Sequence, residues 1–310
     1  MSRKEIDRGG RRLRHASRKK LSAVGHMNLK QPNAKANIVV FHGFRGHMGS
    51  MTRLITKLYD KGYNVFALDF PNHGRSVEGE NERGFVHFGE CMTAARAAIT
   101  TIRLSEYRKN LPIFIVGYSL GALVAYRLLQ EKKSVRRHVS GVVCISTPLR
   151  VDQNVHEWIR KIPWVHRMLP VLKKWFPRLP VDKSFFSRTS REDIRFSERE
   201  LNDPFYYTGS LNLHTAAEVQ EAANAAHKSV GELADIPMLF IHGTQDKIAH
   251  YGAVKEYFET IGSPHWSLRT YPEGFHDLLS DKTVPLCGDI LNWIDTVLSA
   301  ERHRKHQKSP

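Results

Sequence analysis

The stretch LPIFIVGYSLGALVAYRLL, which begins at Leu111, constrains the fold more than any other part of the chain. An apolar, β-branched run that reads as a buried strand is broken by Gly117-Tyr118-Ser119-Leu120-Gly121 and resumes at once as a helix-forming run. Glycine weakens both strands and helices, so two of them flanking a serine at such a junction need a physical reason. The G-x-S-x-G pattern supplies one: a sharp strand-to-helix turn, or nucleophile elbow, with Ser119 strained and exposed at its apex. Without a Cβ at Gly117 and Gly121, strand and helix can cross at close range. The free N–H groups and positive dipole end of the helix then face any oxyanion formed at the serine. An idle serine in a glycine-flanked turn is the plain alternative. The strand before and the helix after the motif favour the nucleophile.

Similar strand-like runs recur along the chain. ANIVVFHGF and GYNVFALDF flank a helical stretch from about Met51 to Tyr59, which makes a βαβ unit. PIFIVG and SGVVCIS supply two further strands, and IPMLFIHG and HWSLRTY two more, with a helix around Val254 to Ile261 between the last pair. A helix near Val284 to Leu298 closes the series. The expected fold class is α/β, a mostly parallel doubly wound sheet with an inserted helical cap. The cap is expected over 148–236, where no run reads as a buried strand and VHEWIRKIPWVHRMLPVLKKWFPRLP is cut by prolines into short helices. The core then comprises 36–147 and 237–300, preceded by a flexible basic arm over 1–35 and followed by a basic tail over 301–310.

In an open parallel sheet the working residues lie just beyond the carboxyl ends of the strands. The residues there are His42-Gly43-Phe44, Asp69 to His73-Gly74, Ser119, Asp246 and His276. Serine needs a base, and neutral imidazole can accept its proton near neutrality. His276 is the candidate base, and Asp246 the carboxylate that fixes its tautomer and stabilises the imidazolium. Taken singly, Asp246 in GTQDK reads as a turn former and His276 in GFHDL as a surface loop residue; their joint placement at successive strand ends favours the triad. The oxyanion donors are expected to be the amides of Leu120 and Phe44. His42, His47 and His73 sit on separate loops without a matching carboxylate or cysteine cluster, so structural hydrogen bonding is expected of them rather than metal binding, and no cofactor is called for. Cys91 and Cys144 lie in apolar surroundings and read as inert.

The segments FHGFRGHMGS, LDFPNHGRSVEGE, VGYSLGALVA, DPFYYTGSLNLHTAAEVQEA, FIHGTQDKIA and YPEGFHDLL run in one order through most of the chain. In them the chain resembles the monoacylglycerol lipases and related lysophospholipases of the α/β-hydrolase family. The H-G-x-S element around His73 and Asp203-Pro204 within the cap make the likeness more specific than the general hydrolase pattern. The resemblance implies a triad of Ser119, Asp246 and His276 with Phe44 and Leu120 as oxyanion donors. The chain departs from the family pattern at Gly46, Asn72 and Ala122, and its segment before NIVVFHG is shorter than the usual pair of leading strands.

The reaction expected is ester hydrolysis of a single-chain lipid through an acyl-enzyme, foremost monoacylglycerol to fatty acid and glycerol. Lysophospholipid or another carboxyl ester or thioester is the alternative substrate. In the cap, Trp158, Trp164, Met168, Leu169 and Leu172 are the candidates for holding the acyl chain, alongside plain packing onto the sheet. The formal net charge of +16 is concentrated at the two ends, beginning with MSRKEIDRGGRRLRHASRKK. Such runs are solvated tails, or are drawn to anionic lipid or nucleic acid. No nucleic-acid module is recognisable, so a basic binding protein on this fold is the weaker reading and contact with an anionic membrane the stronger one. Three dispersed cysteines give no disulfide framework and suit a reducing compartment. No run of about 18 apolar residues is present, and the N-terminus lacks a secretory apolar segment. A cytoplasmic enzyme that associates with membranes is expected, with organellar targeting by the Arg-rich arm as the other use of that segment.

Overall fold

A computed structural model describes residues 25–105, 110–150, 171, 173–180 and 198–307. Seven strands form one sheet in the order β1-β3-β2-β4-β5-β6-β7. They are β1 (His26–Leu29), β2 (Asn37–Phe41), β3 (Asn64–Leu68), β4 (Ile113–Tyr118), β5 (Gly141–Ile145), β6 (Met238–Gly243) and β7 (Trp266–Tyr271). Only β1 is antiparallel to its neighbour. The longer helices are α1 (Thr52–Asp60), α2 (Phe88–Leu104), α3 (Leu120–Glu131), α4 (Leu213–Ala226), α5 (Tyr251–Ile261) and α6 (Leu286–Gln307). The α/β-hydrolase expectation from the sequence is met.

Strands β2, β5 and β6 are buried along their whole length, which demands a helical layer on each face. Alternation within the strands sorts the two layers. Val39, Ile115, Cys144 and Phe240 pack with α2, α3, α4 and α5, while Val40, Val116, Val143 and Ile241 pack with α1 and α6. Burial pushes the Cys144 thiol up to about 12 and that of Cys91 higher, so neither is a thiolate near neutrality.

Three parts of the fold differ from the sequence reading. The arm expected over 1–35 ends sooner, because His26–Leu29 pairs with β3, where His26 lies opposite Leu68 and Leu29 opposite Val65. One leading strand therefore stands where the family resemblance suggests two; at four residues on a sheet edge it carries too little periodicity to read. Helix α2 was not foreseen: its buried face is built largely of Cys91, Ala94, Ala95 and Ala98, small residues that give a weak apolar pattern but let it lie close to α3. Finally α4, inside the span expected to form the cap, contributes Ala222, Ala223 and Ala226 to the sheet-facing core. Trp158, Trp164, Met168, Leu169 and Leu172 lie outside the described residues, as does the arm over 1–24.

The loops beyond β2 and β3 are braced by buried polar groups. Fully buried Asp69 accepts the amides of Met48 (2.7 Å) and Arg75 (2.8 Å), one on each carboxylate oxygen. His42 donates from Nδ1 to the Gly43 carbonyl (2.7 Å) and accepts the Phe70 amide at Nε2 (2.9 Å), which fixes a neutral tautomer. Burial lowers its pKa to about 4. His73 donates from Nδ1 to the Pro71 carbonyl (3.0 Å), and burial, then the neighbouring His42, lower its pKa to about 3.

Two outcomes follow. A Cβ on Gly121 would stand 2.4 Å from the Phe41 carbonyl oxygen, and one on Gly117 would stand 2.6 Å from the backbone of Ala122, so backbone must move to admit either. Gly121→Ala should cost about 3 kcal/mol or more in urea unfolding. Gly288→Ala, on α6 with open space around it, should be neutral or stabilising by up to about 1 kcal/mol. Equal effects would contradict this account of the crossing. For the histidines, folded pKa values below the unfolded ~6.5 mean that the unfolded chain binds more protons, so their contribution is present above that value and is lost as pH falls toward 4. Unfolding free energy should fall steeply between pH 6.5 and 4.5, and His73→Asn should reduce the slope by about one proton. An unchanged slope would contradict the buried neutral state.

Candidate active site

Strand β4 delivers Ser119 into a backbone conformation that side-chain-bearing residues avoid, with φ 49° and ψ −115°. The strain is held in place from both sides. The Ser119 amide donates to the Ile145 carbonyl of β5 (2.8 Å), and its own carbonyl accepts the amides of Ala122 (3.0 Å) and Leu123 (3.1 Å) at the start of α3. The hydroxyl consequently projects from the apex of the turn rather than into the sheet.

His276, in the loop after β7, meets that hydroxyl with Nε2 at 3.0 Å from Ser119 Oγ. Its Nδ1 lies 2.8 Å from Asp246 Oδ2. Asp246, in the loop after β6, also accepts the amides of Ile248 (2.9 Å) and Ala249 (2.8 Å) on Oδ1 and lies 3.0 Å from His242 Nε2 through Oδ2. Burial pushes the Asp246 carboxyl up. The charge of His276 and the hydrogen bonds from His242 and His276 outweigh that and hold it well below the usual carboxylate range. A carboxylate that stays ionised behind an imidazole, and an imidazole nitrogen facing a hydroxyl, form a proton-transfer chain.

The loop after β2 lies alongside. A Cβ on Gly43 would be 3.3 Å from that of Ser119, so the next residue, Phe44, begins the wall of the site, and Leu120 is the first residue of α3. Phe44 packs edge-on to His73 and Tyr207, each at 6.0 Å between ring centres. The segment carrying Asp203-Pro204 is tied to this loop twice. Tyr207 donates its amide to the Arg45 carbonyl (2.8 Å), and His47 Nε2 lies 2.9 Å from Asp203 Oδ2. Because His47 Nδ1 accepts the Gly49 amide (3.1 Å), Nε2 carries the hydrogen and donates to Asp203. Among the described residues no group of three or more His, Cys, Asp or Glu is arranged to hold a metal ion.

The five residues Ser119, Asp246, His276, Phe44 and Leu120 that the sequence singles out thus sit around one point at the carboxyl ends of the strands. Two neighbours escaped the sequence reading. Ser146, fully buried with φ 49° at the end of β5, donates its hydroxyl to the His276 carbonyl (2.8 Å) and so fixes the loop that carries the imidazole. His242 is buried on β6 behind Asp246. Both occupy strand ends, the same signal that picks out Ser119, but neither falls in a motif with a chemical pattern of its own.

A provisionally named monoglyceride lipase of Schizosaccharomyces pombe is 25% identical over 254 residues, covering 80% of this chain and 63% of that protein, so the match spans less than two thirds of its length. Phospholipase YtpA of Bacillus subtilis is 24% identical over 249 residues, covering 79% of this chain and 89% of its own. The crystal structure of Paleococcus ferrophilus monoacylglycerol lipase superposes with a TM-score of 0.68 at 21% identity, over 89% of this chain and 98% of that one, and shows the same fold. The sequence profile of the Hydrolase_4 family, described as serine aminopeptidase, S33, matches residues 32–283. The chain therefore belongs to that family of α/β-hydrolases, as a serine hydrolase of the lipase and esterase kind.

Proposed function

We propose that Ser119, His276 and Asp246 hydrolyse the ester of a single-chain lipid through an acyl-enzyme, with monoacylglycerol as the foremost substrate. The observation that carries this reading is the continuous chain from Ser119 Oγ to His276 (3.0 Å) to Asp246 (2.8 Å). His276 Nε2 takes the Ser119 proton as Oγ attacks the ester carbonyl. The carbonyl oxygen becomes an oxyanion, which the amides of Leu120 and Phe44 receive as donors. The tetrahedral intermediate collapses, the C–O bond to the alcohol breaks, and His276 returns the proton to that leaving oxygen. Water then enters, His276 takes its proton, and the acyl-enzyme is cleaved to the free acid with Ser119 restored. Asp246 stays ionised throughout and stabilises the imidazolium formed in each half.

Several features support a lipid substrate. The two relatives named above carry lipase and phospholipase names, and the described part of the cap presents Trp175 and Phe176 to solvent, 72% and 59% exposed. Burying a methylene contributes ~0.8 kcal/mol, so a ten-carbon stretch of acyl chain would contribute about 8 kcal/mol, more than a glycerol head group supplies. No described helix is long and apolar enough to cross a membrane, so access to lipid would come through surface contact, for which the basic arm over 1–24 is the candidate. A phospholipid or lysophospholipid is the second reading, on the name of the Bacillus relative.

Ser119→Ala should abolish fluorophosphonate labelling and lower kcat by about 10⁴-fold or more, with Asp246→Asn and His276→Ala within the same range. Activity of the wild type should fall as acid protonates the imidazole, while the depressed Asp246 pKa keeps the carboxylate charged across that limb. Retained turnover in any of the three variants would overturn the triad. With monoacylglycerols of increasing chain length, kcat/KM should climb with the acyl chain. A flat or falling series would point to a short-chain ester or thioester, and preference for a lysophospholipid at equal chain length to the second reading.

A further inference from the structure

His242 is the fifth residue of β6, 1% exposed, and the mechanism above gives it no part. Its Nε2 stands 3.0 Å from Asp246 Oδ2, the oxygen that His276 Nδ1 reaches at 2.8 Å, and also contacts the Ala249 carbonyl oxygen at 2.5 Å. A carbonyl only accepts, so Nε2 carries the hydrogen and shares it between the carbonyl and the carboxylate. Asp246 then accepts two backbone amides on Oδ1 and two imidazole N–H groups on Oδ2. A carboxylate has about four acceptor sites, and four donors that belong to the fold match them.

We infer that His242 is a positioning residue for the proposed hydrolysis, holding Asp246 Oδ2 where it can accept from His276 and drawing charge away from that oxygen. The inference rests on the Ser119, His276 and Asp246 reading. Its two effects have signs that can be measured. Without the His242 donor Oδ2 is held by His276 alone and the carboxylate turns more readily, which lowers the fraction of enzyme with an aligned His276 and hence kcat. The same loss leaves more negative charge on Oδ2, which stabilises the imidazolium, so His276 stays protonated to a higher pH. Around the pair, Asp246 meets His242, His276 and the amides of Ile248 and Ala249, with Lys247 next in the chain; His276 meets Ser119 and the Tyr118 ring (5.6 Å), with Asp277 next in the chain; His242 meets the Ala249 carbonyl and the Tyr251 ring (6.2 Å). Among the described residues no Lys or Arg side chain hydrogen-bonds Asp246, so the donor removed with His242 is not replaced by a described cation.

The test compares His242→Leu and His242→Gln in the full chain, by the pH dependence of kcat/KM on a short p-nitrophenyl ester, with urea unfolding measured alongside. Leu should lower kcat on the order of tenfold or more at nearly constant KM and move the acid limb to higher pH. Gln, whose amide can donate to Oδ2, should recover most of the rate and return the limb toward wild type. A destabilised Leu variant with a wild-type limb, or a Gln variant as impaired as Leu, would overturn the inference and leave His242 as a packing residue. Should Leu fail to fold, ¹⁵N NMR of histidine-labelled wild type decides: a His242 ring that carries hydrogen at Nε2, perturbed in Asp246→Asn, is expected, and a ring with hydrogen at Nδ1 and none at Nε2 overturns the proposal. Ser119→Ala and Asp246→Asn serve as references. Full activity in those two would remove the triad itself, whereas their loss alongside unaltered His242 variants would remove only the present inference.

Discussion

The close crossing of β4 and α3 is the constraint on which the site depends. Ser119 can sit at φ 49° only because Gly117 and Gly121 let the helix backbone pass against the strand backbone, at distances that any Cβ would forbid. Such a conformation costs on the order of 1–3 kcal/mol. The surrounding structure offsets it: β4 and α3 are buried almost throughout, and the Ser119 amide is pinned to β5. The same crossing sets the start of α3 beside the loop after β2, so the serine and the two amides assigned to the oxyanion are located by one packing contact. Displacing the helix would misplace all three.

The second constraint is a buried charge. Desolvation alone would drive the Asp246 carboxyl toward its neutral form, which cannot stabilise an imidazolium; the charge of His276 and the hydrogen bonds from His242 and His276 reverse that balance. Comparable bracing holds the other loops. Asp69 ties the chain after β2 to the chain after β3, and Ser146 ties the end of β5 to the His276 backbone. The reacting groups are thus carried on loops, where the chain is free to place them, but each loop is fixed by a buried polar residue at a neighbouring strand end.

The elements legible in the sequence are those whose physics is local. Five strands with near-continuous burial and β7, buried at its two ends, were recognisable as runs, and Ser119, Asp246 and His276 were recognisable because each follows such a run in a motif. What was not legible depends on distant partners. Strand β1 exists through its pairing with β3, and α2 presents mostly small side chains whose fit is decided by α3. The assignment of α4 to the core rather than the cap rests on its packing against α3, which no pattern inside the polar and alanine-rich sequence LHTAAEVQEAANAA announces. Ser146 and His242 matter through a single hydrogen bond each, to residues 130 and four positions away, and one serine or histidine in an apolar run looks like any other.

The proposed hydrolysis passes through a covalent ester between Ser119 and the acyl group. The most direct test is intact-protein and peptide mass spectrometry of enzyme quenched in acid during turnover of an activated long-chain ester. One acyl group per chain on the peptide that contains Ser119, formed in a burst and lost as product appears, is the predicted result. Steady turnover with no acylated enzyme, or acylation at a different residue, would contradict the account.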